Sequence, residues 1–319
     1  MENIKTTVDV LIVGAGICGL MAAQVLAKCG LSALILDKGR SVGGRLATRR
    51  IGEGLADHGA QFFTVRSPRL QEQVDRWLTN GVVYLWSNGF SDGNRSVEAF
   101  DGHPRYAVRG GMNALAKYAA SELPKTVTIL TNIKVTRLNS TNDGWHAIDE
   151  NATIYQGKAL LLTPPVPQSL SLLGNLVEQM AVDEADLMRK IDYAPCLAGL
   201  FVVDGVVKLP EPGALQRPDE AVSWVADNQR KGISPRETVI TVHANGDLSK
   251  TLWDKSDSEG LGRLQKYVEP WLANDAHIRE AQLKRWRYAQ PTTLHPERFL
   301  ISTSNPLVAF AGDAFGERE

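Results

Sequence analysis

Val8-Asp9-Val10-Leu11-Ile12-Val13-Gly14-Ala15-Gly16-Ile17-Cys18-Gly19, then the run Leu20 to Lys28, then Ala33-Leu34-Ile35-Leu36-Asp37, decide the fold of this chain. The first six residues are apolar, rich in β-branched side chains and bounded by a glycine, which predicts a strand buried on both faces as in a parallel sheet. Good helix formers follow over 20–28, with Gly30 as the stop. Residues 33–36 predict a second buried strand that ends at an acid. In this G-x-G-x-x-G spacing, Gly14 allows a tight turn, Gly16 lets a pyrophosphate approach the backbone, and Gly19 lets helix and strand pack closely. The helix N-terminus offers unpaired N–H groups and the positive end of a dipole to phosphate, and Asp37 is placed to accept hydrogen bonds from ribose hydroxyls. Glycine turns are common, but strand, glycines, helix, strand and terminal acid in this order predict a dinucleotide site.

The residues beyond Asp37 distinguish one dinucleotide from another. Lys38-Gly39-Arg40-Ser41-Val42-Gly43-Gly44-Arg45 sets paired glycines and a guanidinium just past the second strand, suited to close backbone approach and forked phosphate binding. Asp57-His58-Gly59-Ala60-Gln61-Phe62-Phe63 adds a glycine turn, amide donors and two rings, which suit a flat ring system larger than nicotinamide. Val308-Ala309-Phe310-Ala311-Gly312-Asp313-Ala314 is another apolar strand running into a glycine and an acid. An acid there can bind the hydroxyls of a ribityl chain, which NAD lacks. Together these three sites predict FAD.

Composition excludes several other classes. Of 319 residues, 43% are hydrophobic and the formal net charge is −1, which is unlike a disordered chain and leaves no basic footprint for nucleic acid. No apolar run reaches the roughly 18 residues of a membrane span, and the length predicts about two domains. Cys18, Cys29 and Cys196 lack C-x-x-C spacing, support neither a disulfide framework nor a zinc site, and read as small buried hydrophobes. With a polar Met1–Thr7 and no secretory pattern, the expectation is a cytoplasmic protein. No His/Cys/Asp/Glu cluster has metal-ligand spacing, and no G-x-S-x-G elbow is present.

Val10 to Gly19, Asp37 to Arg45, Asp57 to Phe63, Gly110-Gly111-Met112-Asn113-Ala114-Leu115-Ala116 and Ala311-Gly312-Asp313-Ala314-Phe315 resemble the amine-oxidase superfamily of flavoproteins. Gly43-Gly44-Arg45 with Ala47-Thr48-Arg49, Gly59-Ala60-Gln61-Phe62 and Arg285-Trp286-Arg287-Tyr288-Ala289 resemble its renalase branch. The resemblance implies an α/β protein with a Rossmann-like (GR2-type) FAD-binding domain and an interleaved mixed or antiparallel-sheet α+β substrate domain. The expected division is 1–75, 106–165 and 290–319 for FAD, and 76–105 and 166–289 for substrate. Candidate cofactor contacts are Gly14, Gly16, Cys18, Gly19, Asp37, Lys38, Gly44, Arg45, Gln61, Phe62, Gly312 and Asp313, with Val135 near the adenine end by resemblance alone. Some members hold FAD through a cysteine in the last third of the chain; none follows Cys196 here, so FAD is expected to be non-covalent.

The resemblance also implies an activity: oxidation of off-pathway NAD(P)H isomers by hydride transfer to flavin, with dioxygen as acceptor and hydrogen peroxide as by-product. The alternatives are an amine oxidase or desaturase acting on another small or apolar substrate, and a catalytically silent FAD-binding protein. Members continue past Phe315-Gly316 into a segment and helix over the flavin, whereas this sequence stops at Glu319; either this sequence is truncated or FAD is held less fully, and the last alternative is favoured if the missing tail is genuine.

Along the rest of the chain, 111–123 has helical spacing. Strands are expected at 127–130, 135–138, 145–148, 153–155 and 159–162, with a turn at Asn142-Asp143-Gly144. Pro164, Pro165 and Pro167 read as a stiff exit toward the second domain. There, antiparallel strands are expected at 197–203, 222–225 and 239–243. Ser256-Asp257-Ser258-Glu259 reads as a capping box before an apolar helix face that Pro270 must kink or end. Substrate-face candidates are His243, Trp286, Arg287 and Tyr288. Trp286 and Tyr288 share one strand face and Arg287 takes the other. The aromatics read equally as core, His243 as an interior histidine, and Arg49 and Arg50 as solvated charge or phosphate ligands.

Overall fold

The computed structural model describes residues 4–93, 100–302 and 306–316. It divides into two compact units: 1–44, 116–193 and 291–319 in the first, and 45–115 and 194–290 in the second. Strands and helices are numbered in chain order through both.

In the first unit, β1 (Ile4–Val13), β2 (Ala33–Leu36) and β7 (Val127–Leu130) pair in parallel, with β10 (Ile154–Leu162) on the other side of β1 and β17 (Val308–Phe310) beyond it. The short edge strand β16 (Leu300–Ser302) pairs antiparallel with β17. All four residues of β2 are buried, as are Leu11, Ile12 and Val13, as expected for a sheet covered on both faces. The helix α1 (Ile17–Lys28) turns its Leu20 and Ala23 inward.

The expected strands at 153–155 and 159–162 are one strand. One edge of β10 runs along β1; the other is taken by β9 (Gly144–Asp149) as far as Gly157 and by β17 from Leu160. The strand β8 (Val135–Thr141) completes an antiparallel meander with β9. The proline cluster also differs from expectation. Pro165 caps α4 (Val166–Leu173), Pro167 sits in its first turn, and a 3-10 turn and α5 (Val182–Arg189) follow within the same unit. Proline lacks the N–H that a first helical turn leaves unpaired, so here it starts a helix.

The second unit is built on a five-stranded sheet in the order β12 (Ala214–Gln216), β13 (Val222–Asp227), β14 (Thr238–Ala244), β11 (Tyr193–Asp204), β15 (His277–Pro291). The pairs β11–β14, β12–β13 and β13–β14 are antiparallel. The hairpin β3 (Thr48–Ile51) and β4 (Gly54–Asp57) packs Ile51 and Ala56 against Leu200, Val202 and Val239 of this sheet. That contact takes 45–75 into the second unit, where the sequence division had put it with the cofactor domain. Residues 106–115 belong there too, and 166–193 to the first unit. The helix α2 (Pro68–Thr79) and the hairpin β5 (Val83–Gly89) and β6 (Phe100–Val108) also lie in the second unit; residues 94–99 of the expected excursion fall outside the described residues. The helix α3 (Asn113–Ser121) leads out of it.

On the far side of the sheet lie α6 (Gly246–Leu252) and α7 (Asp257–Gln265), the latter opened by the expected capping box: Ser256 accepts from Glu259 N–H and the Glu259 carboxylate accepts from Ser256 N–H. The helix ends before Pro270, which sits in a short 3-10 turn. Among the described residues no helix is long and apolar enough to cross a membrane.

Candidate functional site

The first unit gathers its candidate residues at the carboxyl ends of β1, β2 and β17, where ligands of open α/β sheets bind. Gly14 has φ +105°, a backbone region that side chains rarely adopt. A Cβ on Gly19 would stand 2.1 Å from the Gly14 carbonyl oxygen, so helix and strand approach this closely only with glycine. At Gly16, by contrast, a Cβ would meet nothing within 4 Å. Gly16 is also the N-cap of α1 and supplies no side-chain cap, so the first-turn N–H groups face an open, positively polarised position. The Asp37 carboxylate accepts from Ala15 N–H and Gly39 N–H, each at 2.6 Å. Two oxygens carry about four lone-pair sites, so ribose hydroxyls can still be received there.

The other candidates of this unit lie close by. Gly43 N–H donates to Ala15 O at 2.8 Å, bringing the second glycine pair against the first loop. Asn132 N–H and Ile133 N–H bond to Gly39 O and Asp37 O, which sets the approach to Val135 beside Asp37. Lys38 is exposed next to it. Gly312 has φ +148°, and the exposed Asp313 accepts from Tyr193 Oη at 3.4 Å. Burial, and secondarily the Asp313 charge, push the Cys18 thiol up to about 11, so it stays protonated and neutral. Cys29, expected to be buried, is exposed at the C-cap of α1. An open, uncapped helix start beside two glycine turns and two acids fits a dinucleotide with hydroxyl-bearing linkers.

The second unit holds a different kind of constellation. Asp57 and Lys231 are both fully buried and form an ion pair at 2.6 Å. The Lys231 ammonium also donates to Gln61 O at 2.5 Å and lies 4.9 Å from the Trp86 ring centre. Asp57 further accepts from Thr48 Oγ1 at 2.5 Å and Met112 N–H at 2.8 Å. Its carbonyl accepts from Thr241 Oγ1 and Gln61 Nε2. The Gln61 amide is spent on structure: Nε2 donates to Asp57 O and Gly59 O, and Oε1 accepts from Trp224 Nε1 at 3.1 Å. Phe62 packs in an aromatic cluster with Phe90 and Trp224. Gln61 and Phe62, both candidate cofactor contacts, have their side chains engaged inside the unit.

Around this network stand two neutral imidazoles. His58 stacks on Trp286, with ring centres 5.3 Å apart and planes 22° off parallel, and Trp286 Nε1 donates to His58 O at 2.8 Å. Burial above all, then the charges of Lys284 and Arg49, push His58 down to about 4 against the pull of Asp57. His243 lies 3.5 Å from Gln61 Nε2, and burial chiefly pushes it down to about 3. Trp286 and Tyr288 are half-buried and Arg287 is exposed, as the alternation along β15 expects. Arg287 lies over the Trp253 ring at 5.5 Å, on the opposite strand face from the stack, so the structure brings His243 and Trp286 together with His58 but leaves Arg287 out. Arg45 Nη1 donates to Tyr288 O and Ala289 O at 3.2 and 3.4 Å.

Sequence reasoning missed Lys231 and gave His58 no role. Lys231 sits in Asn228-Gln229-Arg230-Lys231-Gly232, which reads as a solvated turn; only the distant partner Asp57 makes it a buried group. A histidine inside the Asp57–Phe63 motif was the available signal for His58.

The comparisons bear on both units. The family signature described as "Flavin containing amine oxidoreductase" matches residues 84–317, and "NAD(P)-binding Rossmann-like domain" matches 12–77. The chain belongs to the flavin-containing amine oxidoreductase family. It is therefore an FAD-dependent oxidoreductase. It is similar to "Renalase" of Mus musculus, 24% identical over 92% of this chain and 91% of that protein. Among solved structures it is similar in fold to a reduced UDP-galactopyranose mutase (12% identity, TM-score 0.68, 89% of this chain and 84% of that one). It is also similar in fold to a putrescine oxidase solved with putrescine (15% identity, TM-score 0.65, 87% and 84% covered).

Proposed function

We propose that this flavoprotein oxidises dihydronicotinamide isomers of NAD(P)H, with dioxygen as the final acceptor and hydrogen peroxide as the by-product. The observation that carries this reading is the Trp286–His58 stack with His243 beside it. It is a flat, uncharged platform for a planar ring, and the one carboxylate of its network, Asp57, is already paired with Lys231. Among the described residues of that network, no unpaired carboxylate is left to receive an ammonium substrate. The full-length likeness to the mouse protein supports the same reading.

Bound FAD supplies the two-electron acceptor. The chain's own residues bind and orient. Gly16, Cys18 and Gly19 would present backbone donors to the cofactor's pyrophosphate, with Gly14, whose N–H bonds to Leu36 O, turning the loop beneath it. Asp37 and Lys38 would receive the ribose, Val135 the adenine end, and Gly312 and Asp313 the ribityl chain. Gly44, Arg45, Gln61 and Phe62 are the further candidate cofactor contacts of this reading. Trp286, Tyr288 and the neutral His243 would seat the substrate ring, and Arg287 would lie outside that seat.

Anaerobic flavin bleaching tests the proposal. Rapid bleaching by 1,2- or 1,6-dihydro-NAD(P) is expected. Bleaching by amines alone would overturn it in favour of an amine oxidase, and a fully loaded flavin that stays oxidised with every donor would leave an FAD-binding protein without this chemistry.

A further inference from the structure

We propose that Arg49 and Lys284, flanking the His58–Trp286 stack, form a seat for the pyrophosphate of an anionic dinucleotide substrate; this rests on the dihydronicotinamide reading and specifies how its substrate is selected. Arg49 projects from β3, whose partner strand β4 runs directly into His58. Lys284 precedes Trp286 by two residues on β15, so the two side chains share a strand face, and Trp286 carries the His58 ring. The three groups feel one another: Arg49 and Lys284 both disfavour a proton on His58, and Arg49 does the same to Lys284 after burial.

Two cations beside a half-buried imidazole repel each other, and an anion between them relieves that repulsion. Of the nearby carboxylates, Asp57 is paired with Lys231, and Asp257, whose charge favours the protonated Lys284 without an ion pair to it, is paired with the Arg285 guanidinium. Among the described residues, neither Arg49 nor Lys284 makes an ion pair with an acid. A guanidinium fork next to an ammonium suits a pyrophosphate and rejects an alkylammonium. His58 Nδ1, buried without a hydrogen-bond partner, adds one site for a neutral polar group of the same ligand.

The test uses the FAD-loaded protein and inorganic pyrophosphate, followed by calorimetry and tryptophan fluorescence. Wild type is expected to bind it with an affinity that falls as salt is raised. Arg49→Gln and Lys284→Gln should each weaken binding about tenfold, with Arg49→Lys restoring part of it. In turnover, the KM of a dihydro-NAD isomer should rise about tenfold relative to that of the matching phosphate-free riboside. Equal pyrophosphate binding by the double variant, no binding by wild type, or a KM increase shared equally by dinucleotide and riboside would overturn the seat. Arg49- and Lys284-dependent pyrophosphate binding without flavin bleaching by any dihydronicotinamide would keep the seat and remove the oxidase reading. Bleaching whose KM ignores both substitutions would do the reverse.

Discussion

The cofactor loop of the first unit and the Asp57–Lys231 network of the second solve opposite problems. Around Gly16 the backbone donors of α1 lack a protein cap and the space beside them is open, so the polar groups wait for a ligand. Around Lys231 every charge is buried and met within the unit: the ammonium by a carboxylate, a carbonyl and an indole face, the carboxylate by a hydroxyl and an amide N–H. A site built from backbone can be read from local sequence, because glycine spacing specifies it. A site built from side chains far apart in the chain depends on packing. The comparison also predicts how each fails: the loop should lose ligand while keeping its fold, and the network should lose its fold.

The largest effect is expected at Lys231. Lys231→Met leaves the Asp57 carboxylate buried without its counter-ion and should destabilise the protein by about 3–5 kcal/mol in urea unfolding, with Asp57→Asn added to it recovering part of the loss. No recovery in the double variant would separate the two residues.

Next is pH. His58 and His243 are held down to about 4 and 3 in the fold, whereas an unfolded imidazole titrates near 6.5. Below that pH the unfolded chain binds protons that the folded chain refuses. Stability should therefore be at its full value above about pH 6.5 and fall toward pH 4, by up to about 1.4 kcal/mol per pH unit for each imidazole. Thermal unfolding across this range checks it, and His58→Phe should reduce the slope.

Third is Gly19→Ala, whose methyl would lie 2.1 Å from Gly14 O. It should cost about 1–3 kcal/mol by forcing α1 away from β1, together with a loss of FAD uptake measured by flavin fluorescence. The smallest change in stability belongs to Gly16→Ala, whose methyl meets no protein atom within 4 Å. Unfolding should shift by no more than about 0.5 kcal/mol, while FAD affinity drops because the methyl stands where the pyrophosphate approaches. Equal losses of stability at positions 16 and 19 would erase the distinction between open cradle and closed packing.

These positions also show what the sequence makes legible. The loop Gly14–Gly19 is visible because each glycine answers a local demand, and β2 falls at its expected residues because a run buried on both faces has no competing pattern; β7 also falls at its expected residues, although its side chains are only partly buried. The hairpin 48–57 was not foreseen: Thr48-Arg49-Arg50 looks solvated, and only the sheet beneath Ile51 and Ala56 makes it a structural element. Pro164-Pro165-Val166-Pro167 looked like a linker because proline both breaks helices and starts them, and the following turns decide which. Lys231 was hidden because 174 residues separate it from Asp57 at the other end of the bond, and no spacing rule reaches so far.

The double allegiance of β10 carries a consequence for the order of assembly. Its first half meets β9 across a few intervening residues, whereas Val10 finds Ala159 only after the whole intervening chain has closed. Local hairpins form quickly and distant parallel pairings slowly. A strand already straightened and registered by its neighbour therefore offers β1 a prepared template, and proline or deletion between Asn151 and Gly157 should slow refolding of the central sheet more than it weakens the finished one.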